Sequence, residues 1–155
     1  MALIEWVKRG LISRHLFWCF TFPVLLFMGL PHVWPASFWL EVRGVSAGPA
    51  RAGEPVPMVV DRTINRPFLG VWTVTVRKWQ GNGWVVYCAA TGKNQYRSGA
   101  ELPADLTLAW WTAGACPALT EGRYVVGTVW QIDPLLPLLP PKHVQRESNI
   151  FEVTP

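Results

Sequence analysis

The chain has 155 residues, of which 50% are hydrophobic and only 15% charged, with a formal net charge of +4. That balance is too apolar for an ordinary soluble protein and suits an apolar anchor joined to a modest globular part. The absence of any Lys/Arg run also removes the electrostatic footprint of a nucleic-acid binder.

Residues 1–15, MALIEWVKRGLISRH, read as a cytoplasmic amphipathic segment. Leu3, Ile4, Trp6, Val7, Leu11 and Ile12 can share one broad face, away from Lys8, Arg9 and Arg14. Such a helix lies on a membrane surface. From Leu16 to Leu40 no Asp, Glu, Lys or Arg occurs. A bilayer core about 30 Å thick takes roughly 17–25 apolar residues in a helix, so residues 16–36 are expected to form a transmembrane helix. Pro23 can kink it, and Pro31 and Pro35 end it. Trp6, Arg14, Trp34 and Trp39 are the expected membrane-interface anchors. The cations of the first 15 residues place the N-terminus in the cytoplasm by the positive-inside rule, and everything after the span outside it. A cleaved signal peptide is the rival reading. The stretch Pro31-His32-Val33-Trp34-Pro35-Ala36-Ser37 carries no A-x-A exit pattern.

After the span the pattern changes to period two, and residues 37–155 read as one domain. Strands are expected at Phe38–Val45, Val56–Asn65, Gly70–Trp79, Trp84–Ala90, Leu106–Thr112, Arg123–Ile132 and Ser148–Val153. In the third strand Trp72, Val74 and Val76 fall on one face, and Thr73, Thr75 and Arg77 on the other. Gln80-Gly81-Asn82-Gly83 is a hairpin turn. Thr91–Pro103 and Asp133–Glu147 read as loops. The fold class is therefore mainly β, an immunoglobulin-like antiparallel β-sandwich of about seven strands preceded by an N-terminal transmembrane helix. Trp72 occupies the place where such sandwiches often bury a Trp. Leu119-x-x-Gly122-x-Tyr124 matches the tyrosine corner that opens their sixth strand. The layout resembles uncharacterised single-pass membrane proteins of bacteria and their phages with an Ig-like, fibronectin-III-like ectodomain. The resemblance is at fold level over roughly residues 38–155 and carries no functional residue onto this chain.

Chemistry is sparsely marked. Of three cysteines, Cys19 lies in the span, and Cys88 and Cys116 lie in the outer domain. In an oxidising compartment these two are a disulfide candidate, with two buried free thiols as the alternative. No CxxC exists, and His143 is the only outer-domain histidine, so no metal or other cofactor is expected. Asp133, His143 and Ser148 are the only acid, base and nucleophile to consider together, and they have no nucleophile-elbow context.

The stretch that asks for a partner is Leu135, Leu136, Pro137, Leu138 and Leu139. Four leucines in an exposed loop make an apolar patch, and proline pre-orders it for docking on a protein or a lipid surface. The alternative is that the loop folds back over an open end of its own sandwich. The expected function is a non-enzymatic interaction protein, an accessory subunit or envelope adaptor, in the bacterial inner membrane. Its partners are the lipid bilayer and proteins of the membrane or periplasm, not nucleic acid. The alternatives are a phage-encoded envelope factor for lysis or superinfection exclusion, and a secreted or virion structural β-sandwich protein.

Overall fold

A computed structural model describes residues 17–26, 29, 34–134 and 140–155. The chain divides into an N-terminal unit ending at Trp34 and a β unit beginning at Pro35. In the N-terminal unit residues 17–26 and 29 are helical. Phe17, Trp18, Phe20, Phe22, Val24, Leu25 and Leu26 are all exposed there, so apolar side chains surround this segment rather than form one stripe. Among the described residues no helix is long and apolar enough to cross a membrane. Among the described residues the continuous helical stretch is residues 17–26. The rest of the expected span, apart from residues 29 and 34–36, and the segment 1–15 lie outside the described residues.

The β unit opens with a 3-10 turn at Ala36–Phe38. It continues through β1 (Leu40–Ala47), β2 (Ala50–Arg51), β3 (Met58–Ile64), β4 (Phe68–Trp79) and β5 (Trp84–Tyr96). A one-turn helix, α1 (Leu108–Trp111), precedes β6 (Gly122–Asp133), β7 (Lys142–Glu147) and β8 (Phe151–Thr154). The unit is mainly β, as expected. β1 and β3 form an antiparallel pair. The second sheet runs β2–β8–β6–β4–β5, with β7 also on β6. β7 takes Gly127–Ile132 of β6 and β8 takes Gly122–Tyr124, so the two follow one another along the same edge. β2 lies parallel to β8, which makes this sheet mixed.

Side-chain alternation explains the core. On β4, Val74 and Val76 are fully buried, as are Tyr124, Val126, Thr128, Trp130 and Ile132 on β6. The alternate row carries polar pairs: Thr73 meets Thr91 at 3.3 Å, and Arg77 pairs with Glu147 at 2.7 Å. One wet face and one dry face is the usual state of an antiparallel sheet. Two bulges keep the apolar rows inward. An extra residue at Arg43 lets Leu40 and Val42, then Val45 and Ala47, all face the core despite their odd spacing. An extra residue at Tyr87 sets its ring edge-on to Tyr124 and lets its hydroxyl donate to the Ala118 carbonyl. The expected turn at Gln80–Gly83 forms, closed by Trp79 opposite Trp84, with Gly81 at φ 63°.

Three expectations are corrected. Leu106–Thr112 is not a strand. Only Thr107 bridges to Pro57, and the chain then turns into α1, because Leu108, Trp111 and Thr112 are the buried residues at helical spacing. Asp133–Glu147 is not wholly a loop, since Lys142–Glu147 forms β7; apart from Val144 its side chains are polar, and main-chain pairing with β6 defines it. Thr91–Pro103 is likewise half strand, with β5 running to Tyr96. The fully buried tryptophan of the sheet is Trp130, whereas Trp72 is half-buried.

Candidate functional site

The inward face of the larger sheet is wider than the β1–β3 pair that accompanies it, and α1 makes up part of the difference. Two backbone bonds fasten the start of α1 to the start of β3: Met58 N–H donates to the Leu106 carbonyl just before the helix, and Leu108 N–H to the Val56 carbonyl just before the strand, both at 2.9 Å. Thr107 caps the helix by accepting from Trp110 N–H. Leu108 and Trp111 then point inward. Trp111 Nε1–H donates to the buried Thr128 hydroxyl at 3.1 Å, and its ring meets Trp130 edge-on at 6.0 Å. After the helix Ala113 (φ 49°) and Gly114 (φ 74°) both take the left-handed conformation to reverse the chain.

Between α1 and the sheet lies a cleft of about 510 Å³. That is within the usual size of small-molecule sites. Trp72, Trp130, Asn94 and Tyr96 line it from the sheet; Trp110, Trp111 and the Ala113–Gly114 turn line it from the helix side. Cross-strand pairing places Trp130, Trp72 and Gly92 in one row. Gly92 is needed there: a Cβ at that position would stand 2.5 Å from Trp72 Cζ2. The ring therefore lies over the β5 backbone and keeps the cleft wall flat.

Among the described lining residues Arg62 alone carries a formal charge. It stands in the inward row of β3 with Met58 and Ile64. Its guanidinium carbon is 5.4 Å from the Tyr96 ring centre and 5.9 Å from that of Trp111. Burial holds its pKa below the ordinary arginine value, opposed by Tyr96; the group still carries its charge at neutral pH. Burial pushes the Tyr96 phenol upward, with Arg62 the strongest opposing influence, so it stays protonated at neutral pH. Arg62, Asn94 and Trp130 all approach that hydroxyl. Even so, Trp130 Nε1–H forms no hydrogen bond with it, and both this N–H and Arg62 Nε–H are buried with no partner among the described residues. The described ion pairs do not include Arg62.

The residues singled out from sequence are distributed differently. Cys88 and Cys116 are bonded, with Cα atoms 5.5 Å apart, joining β5 to the turn before β6. Leu135, Leu136, Pro137, Leu138 and Leu139 lie outside the described residues; the strands that flank them, β6 and β7, pair up to Ile132 and Lys142. Trp6 and Arg14 also lie outside them, and Trp34 is half-buried. Trp39, expected at a membrane interface, is 5% exposed and packs edge-on against Phe38 at 4.9 Å. Ser148 uses its hydroxyl structurally, accepting from Val126 N–H and donating to the Asn149 carbonyl. Among the described residues no cluster of His, Cys, Asp and Glu could hold a metal ion.

The sequence placed Trp72 and Tyr124 in the sandwich itself and gave no sign of the cleft as a whole. Its one legible signal was Arg62, a cation two residues from Ile64 on the apolar row of β3. No protein-family model matches the chain, and no curated protein or solved structure matches it either.

Proposed function

We propose that the chain is a non-enzymatic interaction protein. One apolar helix within residues 16–36 holds it in lipid and an immunoglobulin-like domain stands outside the cytoplasm. The bond between Cys88 and Cys116 carries this reading, because such bonds persist in oxidising compartments and are rare in the cytosol. It follows, in the same chain, a run free of charged side chains whose described helical part exposes large apolar side chains all round. Lipid is the solvent in which that arrangement is favourable.

The strand order supports the Ig-like assignment. β1 pairs with β3 in the small sheet, while β2 crosses to run parallel with β8 in the large one. Tyr124 donates its hydroxyl hydrogen to the carbonyl of Thr120 at 2.8 Å, the bond of a tyrosine corner. The domain departs from antibody modules in two respects. Its disulfide does not tie the two sheets together, and α1 occupies the segment between β5 and β6. Partner contact is assigned to Leu135–Leu139 on composition: four leucines and a proline between the paired ends of β6 and β7.

Expression in bacterial cells tests the reading. The chain is expected to resist carbonate extraction, and its β unit to be cut by protease added to spheroplasts. Cys88 and Cys116 should react with maleimide only after reduction. A carbonate-soluble product, or a β unit cut only after cell lysis, would overturn it. Changing Leu135, Leu136, Leu138 and Leu139 to Ser should abolish co-purification of partner proteins from mild detergent; unchanged partners would remove the loop from the assignment.

A further inference from the structure

The cleft between α1 and the large sheet has the chemistry of a ligand site. Its walls are indole and phenol rings: Trp72, Trp110, Trp111 and Tyr96. Among the described residues its buried side-chain atoms without a hydrogen-bond partner are both donors, namely Arg62 Nε–H and Trp130 Nε1–H. Trp130 is fully buried, so no rearrangement of its own side chain into solvent satisfies that N–H. A buried donor left unpaired is unfavourable by about 1–3 kcal/mol, and two at one cleft make an acceptor-bearing occupant favourable. The guanidinium adds a charge that no carboxylate among the described lining residues balances.

We propose that this cleft binds a planar aromatic carboxylate. The carboxylate accepts from Arg62 and Trp130, and the ring stacks among the tryptophans. A single negative charge fits better than a phosphate dianion. One guanidinium would leave half of a dianion's charge uncompensated among apolar walls, where desolvated charge is costly. A flat aromatic body fits because indole faces give stacking energy beyond simple area burial. Trp110, 54% exposed on the outer turn of α1, forms the open side and can close over the ring. The proposal is independent of the membrane assignment, since every residue it uses lies in the β unit.

The test uses the full chain in detergent micelles, with protein-free micelles as the blank. Naphthalene-2-carboxylate, the neutral isostere 2-naphthylmethanol and the dianion 2-naphthyl phosphate are titrated by calorimetry. The indole N–H resonances are followed by NMR, with the Trp130 signal assigned by Trp130→Phe. The carboxylate is expected to bind saturably, at least about tenfold more tightly than either analogue, and to shift the Trp130 Nε1–H resonance. Arg62→Gln should bring the carboxylate and the alcohol to equal affinity. Trp110→Ala should weaken both several-fold while keeping their ratio. The proposal falls if the carboxylate shows no saturable binding, no preference over the alcohol, or no effect at Trp130. These are wild-type readouts, so they decide the matter even if Arg62→Gln fails to fold. A preference for the phosphate would overturn the assigned ligand class.

Discussion

At the scale of single residues, polar groups that the fold has enclosed are the most informative. Tyr124 is fully buried, and its hydroxyl is held by the Thr120 carbonyl at 2.8 Å. Tyr124→Phe keeps the ring packing against Phe151 and Tyr87 but orphans that carbonyl. It should lower unfolding stability by about 1–2 kcal/mol, read from urea denaturation of the folded chain. Exposed charges behave differently. Arg43 grips Asp61 through two bonds of 2.9 and 2.7 Å on the outer face of the β1–β3 pair. Hydrogen bonding to Arg43 holds the Asp61 carboxyl below its usual range. With its folded pKa depressed, Asp61 contributes stability that is complete above the unfolded-state pKa. That contribution fades as pH falls through the folded value. Asp61→Asn should therefore flatten the acid limb of the stability profile, and molar salt should shrink the difference between variant and parent. An unchanged acid limb would show that the pair contributes nothing measurable.

At the scale of elements, the two sheets are joined by side chains that imitate backbone. Asn149, between β7 and β8, accepts from Ala47 N–H and donates to the Ala47 carbonyl, each at 2.9 Å. Nearby, Arg146 donates to the Val42 carbonyl at 3.0 Å. These bonds let β1 stay attached at the point where β7 gives way to β8. Asn149→Ala removes both bonds to Ala47 and leaves part-buried backbone unpaired. The expected loss is about 1–3 kcal/mol, with faster hydrogen exchange at the Ala47 amide. Wild-type exchange at that amide would show that water replaces the side chain without penalty. The same element scale explains the misread segment Leu106–Thr112. Its first half alternates like a strand and bonds to β3 like one, but the Thr107 cap and the spacing of Leu108, Trp111 and Thr112 belong to a helix.

At the scale of the whole molecule, the disulfide closes a loop with a sequence separation of 28 and covers the whole of α1. Chain-entropy reasoning gives such a crosslink about 3–4 kcal/mol. Replacing Cys88 and Cys116 together by Ser should lower the denaturation midpoint accordingly. It should also loosen the α1 wall of the cleft, seen as greater quenching of tryptophan fluorescence by acrylamide. A variant as stable and as shielded as the parent would mean that packing alone fixes α1.

Much of the architecture was legible in residues 38–155 because alternation of apolar and polar side chains is a local property. The strands at β1, β3, β4, β5, β6 and β8 followed from it, with ends displaced by bulges and frayed edges; the Gln80–Gly83 turn was legible in its glycines and Asn82, and the pair Cys88 and Cys116 in the oxidising compartment expected of the outer domain. β7 was not legible, since its partner and not its composition makes it a strand. Nor was the cleft: Arg62, Asn94, Tyr96, Trp110 and Trp130 come from four separate elements. The sequence by itself determined a β-rich domain behind an uncharged apolar run. Only the tertiary structure decided which donors would be buried without partners, because that depends on which distant strands meet and how little covers them.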